Sequence, residues 1–192
     1  MRVPLYNLCN RIQIPSNILS KLNMLETEHY IMREAQLRDA EFILSLINQP
    51  AWKQFISDHS INTIELAQDY IENKLCSLYQ SLGFGLWVVD SIEEGRSIGL
   101  CGLLKRDTLD CIDLGFGFLP EFWGSGAAQE TSLACLTYAF DELRKDEVAA
   151  IVSPDNVRSI RLLEKLEFQS ESDYFDPITD ERLLLYKINK PQ

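Results

Sequence analysis

The stretch that decides the fold is Asp113-Leu-Gly-Phe-Gly-Phe-Leu-Pro-Glu-Phe-Trp-Gly-Ser-Gly-Ala-Ala-Gln-Glu130. Its apolar first half is typical of a strand, which Pro120 ends, and a helix opens after the turn Gly124-Ser125-Gly126. The first N–H groups of a helix have no internal acceptor and lie at the positive end of the helix dipole. Glycines let a ligand approach that backbone closely, so the turn predicts a phosphate or pyrophosphate site, with the Ser125 hydroxyl as an added donor.

Taken alone, Gly-x-Gly before a helix is explained equally well by glycines that serve only the turn. Two other kinds of phosphate loop do not fit the sequence. No Gly-Lys-Ser/Thr follows, as a Walker A loop requires, and Gln129 occupies the third glycine position of the dinucleotide-binding pattern.

A second segment is Ser153-Pro-Asp-Asn-Val-Arg-Ser-Ile-Arg-Leu-Leu-Glu-Lys-Leu-Glu-Phe168, in which Asn156 is suited to cap a helix. Together, the two segments resemble the GNAT acetyltransferase superfamily and, within it, the RimJ/RimL-type branch. The family motif Pro-x-x-Trp-Gly-x-Gly-x-Ala-x-Glu is matched by Pro120, Trp123, Gly124, Gly126, Ala128 and Glu130. The motif Asn-x-x-Ser-x-x-x-x-Glu-Lys-Leu-Gly-Phe is matched by Asn156, Ser159, Glu164, Lys165, Leu166 and Phe168, with Glu167 replacing the glycine. The resemblance covers residues 28–188.

Apolar periodicity outward from these segments predicts the remaining elements. Strands are expected at 30–33, 84–89, 97–105, 111–118, 148–152 and 182–188. Helices are expected at 40–47, from the Thr63 cap to Gly83, at 125–143 and after Asn156. The resulting β-α-α-β-β-β-α-β-α-β order predicts a single-domain, mixed and mostly antiparallel α/β sheet flanked by helices. We expect this GNAT-like domain to span residues 28–192, after a weakly ordered or accessory extension over residues 1–27.

Charge and composition limit the partners. The 192 residues include 18 basic and 29 acidic side chains, for a net charge of −11, and the sequence shows no basic cluster of the kind that binds nucleic acid. A negative electrostatic field attracts a cationic substrate; alternatively, the acidic surface serves only to keep the protein soluble. No apolar run is long enough to span a membrane. The five cysteines form no Cys-x-x-Cys pair, so we expect reduced thiols in a cytoplasmic protein and no metal site. We expect the protein to be a monomer or a homodimer.

The resemblance implies acetyl-CoA as cosubstrate and a pair of splayed strands that hold its pantetheine arm. Its pyrophosphate would bind the loop amides, and Asn156 would lie near the pantetheine. The implied cofactor-binding residues are Gly117, Phe118, Leu119, Trp123, Gly124, Ser125, Gly126, Ala127, Ala128 and Asn156. The resemblance also implies that a backbone N–H near Leu119 polarises the thioester carbonyl.

The chemistry implied is direct attack of an amine on the thioester, which requires the neutral amine and therefore a base. Asp113 is the candidate base; alternatively it solvates a strand edge or binds the substrate ammonium. Ser159 is the candidate to protonate the departing thiolate; alternatively it is only a first-turn hydroxyl. Leu163 stands where many superfamily members carry the tyrosine acid, and Tyr174 is a more distant candidate.

The amine acceptor is expected in a cleft shaped by the first two helices, where Trp52, Phe55, Asp58 and His59 occur. The acceptor is a protein N-terminus or a small-molecule amine. Two other functions stay open: a non-catalytic acyl-CoA-binding module, and a nucleotide binder of the Rossmann type. The antiparallel strands expected in mid-chain argue against the nucleotide binder, since that fold requires repeated β-α-β units.

Overall fold

The computed structural model describes residues 25–57, 60–177 and 179–191. Residues 1–24 of the predicted extension, and Asp58 and His59 of the predicted acceptor cleft, lie outside these ranges. The strands are β1 (Leu25–Glu26), β2 (Tyr30–Arg33), β3 (Leu86–Ser91), β4 (Arg96–Leu104), β5 (Ile112–Phe118), β6 (Glu147–Val152), β7 (Gln169–Phe175) and β8 (Arg182–Asn189). The helices are α1 (Ala40–Ile47), α2 (Pro50–Phe55), α3 (Ile64–Tyr70), α4 (Ser77–Leu82), α5 (Ala127–Thr137) and α6 (Val157–Lys165). The π-helical segments Ile71–Cys76 and Tyr138–Glu142 continue α3 and α5.

All the described strands form one mixed sheet in the order β1-β2-β3-β4-β5-β6-β8-β7. Every neighbouring pair is antiparallel except β5 and β6, which are parallel. The central strand β4 is buried on both faces, because helices cover both sides of the sheet there. The predicted fold class is confirmed. β7 was missed because its residues are almost all exposed, so no alternation of apolar side chains marks it.

The parallel pair β5–β6 separates soon after it begins. Its register holds only Ile112↔Val148 and Asp113↔Ala149, although β5 continues to Phe118 and β6 to Val152. Over the same length β6 stays paired with β8. The splayed strands expected from the family resemblance are therefore present.

Local signals in the sequence set most helix ends. The Thr63 hydroxyl accepts the N–H of Leu66 at 3.2 Å, which confirms the predicted cap, and Gly83 ends α4 in a left-handed conformation with φ 77°. Pro50 begins α2, a short helix that the periodicity did not predict. Glu167 ends α6 with φ 69°, so the residue that replaces the family glycine adopts the strained left-handed conformation.

A buried ion pair connects the sheet to α1, which leads into α2. The Arg33 guanidinium donates to both carboxylate oxygens of Asp39 at 2.8 Å and, through Nε, to Asp90 at 2.6 Å. Asp39 is 6% exposed. Burial alone would raise the pKa of its carboxyl, but hydrogen bonds from Arg33 and the Gln36 N–H outweigh burial and hold that pKa below its ordinary value.

We expect Asp39→Asn to lower the free energy of unfolding by about 3 kcal/mol at neutral pH, because it leaves the Arg33 charge without its main partner. A lowered folded-state pKa means that the carboxylate's contribution is complete above about pH 4 and is lost as pH falls through the folded-state value. The difference between wild type and variant in urea denaturation should therefore shrink in acid.

Asp173→Asn is the matched control, because Asp173 forms the same two-point pair with Arg182, both contacts at 2.9 Å, on an exposed surface. Its loss of stability should be much smaller, since water screens that pair. Equal losses from the two substitutions would contradict a special role for the buried pair.

Candidate active site

The glycine turn presents an open helix end. Gly124 and Gly126 have φ values of 82° and 97°, and a Cβ at either position would meet no atom within 4 Å. These glycines are required by the backbone conformation rather than by crowding. The N–H of Glu130 makes the first helical hydrogen bond of α5, to the Gly126 carbonyl at 3.0 Å. The N–H groups of Ala128 and Gln129 therefore have no helical acceptor and are oriented for an anion.

Ser125 is used differently from the prediction. Its hydroxyl donates to the Phe122 carbonyl at 2.8 Å and accepts the Ala127 N–H at 3.3 Å. The hydroxyl hydrogen predicted for a phosphate is thus engaged within the turn. Ser125 and Ala127 shape the loop, while Ala128 and Gln129 offer the open amides.

The free edge of β5 is offset by one residue from the prediction. The N–H of Leu119 donates to the Ile98 carbonyl at 2.9 Å, so it is not available to a thioester carbonyl. Successive residues of a strand point their N–H groups to opposite edges, so those of Phe116 and Phe118 point toward the gap beside β6. The Phe118 carbonyl, on the same edge, accepts the Trp123 indole N–H at 2.9 Å. The backbone N–H groups that face the gap are therefore those of Phe116 and Phe118, and not those of Gly117 or Leu119.

A cavity of about 530 Å³ lies at this free edge of β5, bounded also by α2, the glycine turn and α6. The predicted site residues that line it are Gly117, Phe118, Trp123, Gly124, Gly126, Ala128, Asn156 and Ser159. Those that do not are Asp113, Leu119, Ser125 and Ala127. Gly117 and Phe118 face opposite sides of the sheet, since side chains alternate along a strand, so the cavity passes across the edge of β5.

Three cations of α6 line the cavity and were missed by sequence reasoning. Arg158, Arg161 and Lys165 lie at i, i+3 and i+7, which places them on one face of the helix. The Arg158 guanidinium stacks over the Trp123 ring, 4.6 Å from its centroid. Their helical spacing is the sequence signal that indicates a cationic helix face, although the net charge of −11 predicts an acidic surface. The cavity has a positive wall although the chain is acidic.

Asn156 and Ser159 meet at the start of this helix. The Asn156 side chain accepts the Ser159 N–H at 3.2 Å, which confirms the predicted N-cap. Both residues line the cavity, so the cap also belongs to the site. Leu163 is 1% exposed in the core, and the Tyr174 hydroxyl bonds Thr108 Oγ1 at 2.6 Å away from the cavity lining. Of the candidate acids, Ser159 alone lines the cavity.

Helix α2 forms the other wall of the cavity. A Cβ on Gly117 would stand 2.5 Å from the Trp52 ring and 3.0 Å from Cδ1 of Ile56, so only glycine permits this contact. Trp52 is 5% exposed, whereas Ile56 is 49% exposed. Trp52 therefore belongs to the core and also lines the cavity together with Phe55.

Asp113 lies beyond the cavity on the same face of β5 as Gly117. It is 1% exposed, its Oδ2 accepts Arg106 Nε at 2.9 Å, and its Oδ1 has no hydrogen-bond partner among the described residues. Burial raises the pKa of the Asp113 carboxyl, and the nearby Arg106 only partly opposes this. Its role as a base stays a prediction.

Glu130, which ends the first family motif, anchors the start of α5. Its carboxylate accepts the His29 backbone N–H at 2.9 Å and contacts His29 Nδ1 at 2.9 Å. These contacts hold the helix that carries the open amides against the turn between β1 and β2. His29, which the sequence left without a role, is thus a structural partner.

Within the described ranges, no group of three His, Cys, Asp or Glu side chains is arranged to hold a metal ion. The same ranges contain no helix that is long and apolar enough to cross a membrane.

Known proteins resemble this chain in sequence. The chain is 35% identical over 86 residues to Bacillus subtilis YkkB, covering 44% of this chain and 50%, or about half, of that protein. It is 29% identical over 151 residues to YoaA of the same organism, named an uncharacterized N-acetyltransferase, covering 77% of this chain and 84% of that protein.

Among solved structures, RimL, a ribosomal L7/L12 alpha-N-protein acetyltransferase in complex with coenzyme A, shares the fold with a TM-score of 0.75 at 13% identity. That likeness covers 86% of this chain and 97% of that chain. Residues 29–169 match the family described as the acetyltransferase (GNAT) domain. The two family motifs lie on the glycine turn and on the capped helix α6, beside the separated strands β5 and β6. The chain therefore belongs to the GNAT acetyltransferase family.

Proposed function

We propose that this protein is an N-acetyltransferase that transfers the acetyl group of acetyl-CoA to a primary amine of a small molecule or peptide. One observation carries the proposal: the open amides of α5, the unpaired edge of β5 and the cations of α6 all meet in one cavity. Each of these features matches one part of the cofactor. Bound acetyl-CoA would supply an acetyl group activated as a thioester.

The charges fit the phosphate end of the cofactor. The N–H groups of Ala128 and Gln129 would bind the pyrophosphate, as a helix N-terminus does. Arg158, Arg161 and Lys165 would neutralise the phosphates from α6. No carboxylate is among the described residues that line the cavity, so nothing there opposes an anion. Local arrangement, rather than net charge, would decide the affinity.

The tail of the cofactor fits the strand edge. The N–H groups of Phe116 and Phe118 would bind the pantetheine amides, much as another strand would. The same edge would orient the thioester carbonyl toward an attacking amine.

Two side chains would move the protons. Asp113 would accept the amine proton through water. Its Oδ1 has no hydrogen-bond partner among the described residues, and its side chain lies on the same face of β5 as Gly117, the face that contacts α2. A raised pKa brings a carboxyl closer to the pH at which a base is most effective. Ser159 would hydrogen-bond the leaving thiolate and relay to it the second proton that the amine nitrogen loses, as the C–N bond forms and the C–S bond breaks.

A non-catalytic acyl-CoA-binding module is the second candidate. The burial of Asp113 against Arg106 and the core position of Leu163 favour it, since neither residue then serves as a base or acid at the cavity. This candidate requires acetyl-CoA binding without turnover on any amine. Calorimetry with acetyl-CoA, combined with an assay of coenzyme A release over a panel of amines, separates the two candidates.

We expect the double substitution Arg158→Gln and Arg161→Gln to weaken acetyl-CoA binding at least about tenfold, because it removes two charge-assisted contacts to phosphate. The remaining affinity should also depend less on salt concentration. Lys74→Gln/Arg38→Gln is the matched control, since it removes two exposed cations that do not line the cavity. Equal affinity of the two double variants would contradict the assignment of α6 to the phosphates.

We expect Asp113→Asn to lower kcat about 100-fold, the usual effect of losing a general base, with little change in acetyl-CoA affinity. Arg106→Gln keeps the carboxylate but removes the cation that lowers its pKa. It should therefore retain activity, with the acidic limb of the kcat/KM profile shifted to higher pH. An Asp113→Asn variant with wild-type kcat and an unchanged pH profile would eliminate Asp113 as the base.

A further inference from the structure

The cavity wall formed by α1 and α2 is apolar. The described side chains that form it are Leu46, Trp52, Phe55 and Ile56. None is charged, and every charged side chain among the described lining residues is a cation of α6. The two ends of the cavity therefore suit different chemistry, anionic at α6 and apolar at α2.

Ile56 is unusual for this wall because core packing does not account for it. It is 49% exposed at the C-terminal end of α2, yet its Cδ1 reaches the surface of Gly117. Ligand pockets are lined mainly by apolar side chains, so Ile56 is available to contact a bound molecule. Because Ile56 faces solvent as well, the apolar wall is accessible to a molecule that enters from outside.

The wall would disfavour an acceptor with a second ammonium group. A buried cation requires a carboxylate or several acceptors, and the described wall provides neither. An apolar or aromatic group would instead replace water along α2.

We propose that the acceptor is a primary amine whose remaining part is apolar or aromatic and carries no second positive charge. This inference rests on the proposed function. The C–N bond forms at the thioester carbon beside β5, while the apolar part of the amine lies between Ile56 and Phe55. The amides of the pantetheine arm would occupy the backbone edge of β5 and the acetyl group is small, which leaves the side chains of α2 to the acceptor.

The test measures kcat/KM with acetyl-CoA for 2-phenylethylamine and hexylamine against 1,4-diaminobutane and spermidine. We expect the apolar amines to be preferred about tenfold or more, as a hydrophobic pocket discriminates. Calorimetry with acetyl-CoA alone runs in parallel, so that cofactor binding is measured separately from acceptor choice.

A matched pair of substitutions tests the wall itself. Ile56→Glu should lower kcat/KM for 2-phenylethylamine and raise it for 1,4-diaminobutane, because it supplies the missing carboxylate. Ile56→Gln, of similar size and uncharged, should lower the first value without raising the second. The ratio of kcat/KM for the two amines, measured with saturating acetyl-CoA, reports acceptor choice independently of any change in cofactor affinity.

Several outcomes would overturn the inference. A wild-type preference for the diamine or spermidine, with acetyl-CoA binding intact, would overturn the acceptor class and leave the proposed function standing. A higher kcat/KM with hexanoyl-CoA than with acetyl-CoA as donor, without any preference among amines, would assign the wall to the acyl chain. Absence of both acetyl-CoA binding and coenzyme A release would refute the proposed function, and the inference with it.

Discussion

The separation of β5 from β6 after two paired residues is the constraint on which the site depends. Because β6 stays paired with β8, the backbone of β5 is left with an edge that no strand covers, in the middle of the sheet. Such an edge is costly unless water or a ligand satisfies it. Residues 119–126 connect β5 to α5, and the helix N-terminus and the open edge line the same cavity.

The distribution of charge follows the same division. The chain has a net charge of −11, yet the cavity gathers Arg158, Arg161 and Lys165 on one wall and no described carboxylate. Cations on one helix face create a local positive potential even on an acidic chain. The apolar wall of α2 completes a cavity whose two ends are suited to different molecules.

The sequence predicted what depends on local pattern. Periodicity and turn residues gave most elements, and two motifs gave the family. It did not predict β7, whose side chains are exposed, nor which N–H groups face the gap. The bond from Leu119 to Ile98 depends on strand register, and the engagement of Ser125 within its own turn depends on loop geometry, so a contiguous motif encodes neither. Asp113 shares a face with Gly117 as strand parity requires, but its burial against Arg106 follows from the path of the loop between β4 and β5.

Amide hydrogen exchange measured by NMR, with and without coenzyme A, tests the central claim most directly. The N–H groups of Phe116, Phe118, Ala128 and Gln129 should exchange more slowly when coenzyme A is bound, because the cofactor becomes their acceptor. The N–H of Leu119 should change least, since it is already bonded within the sheet. Unchanged exchange at those four amides in a sample saturated with coenzyme A would contradict the account.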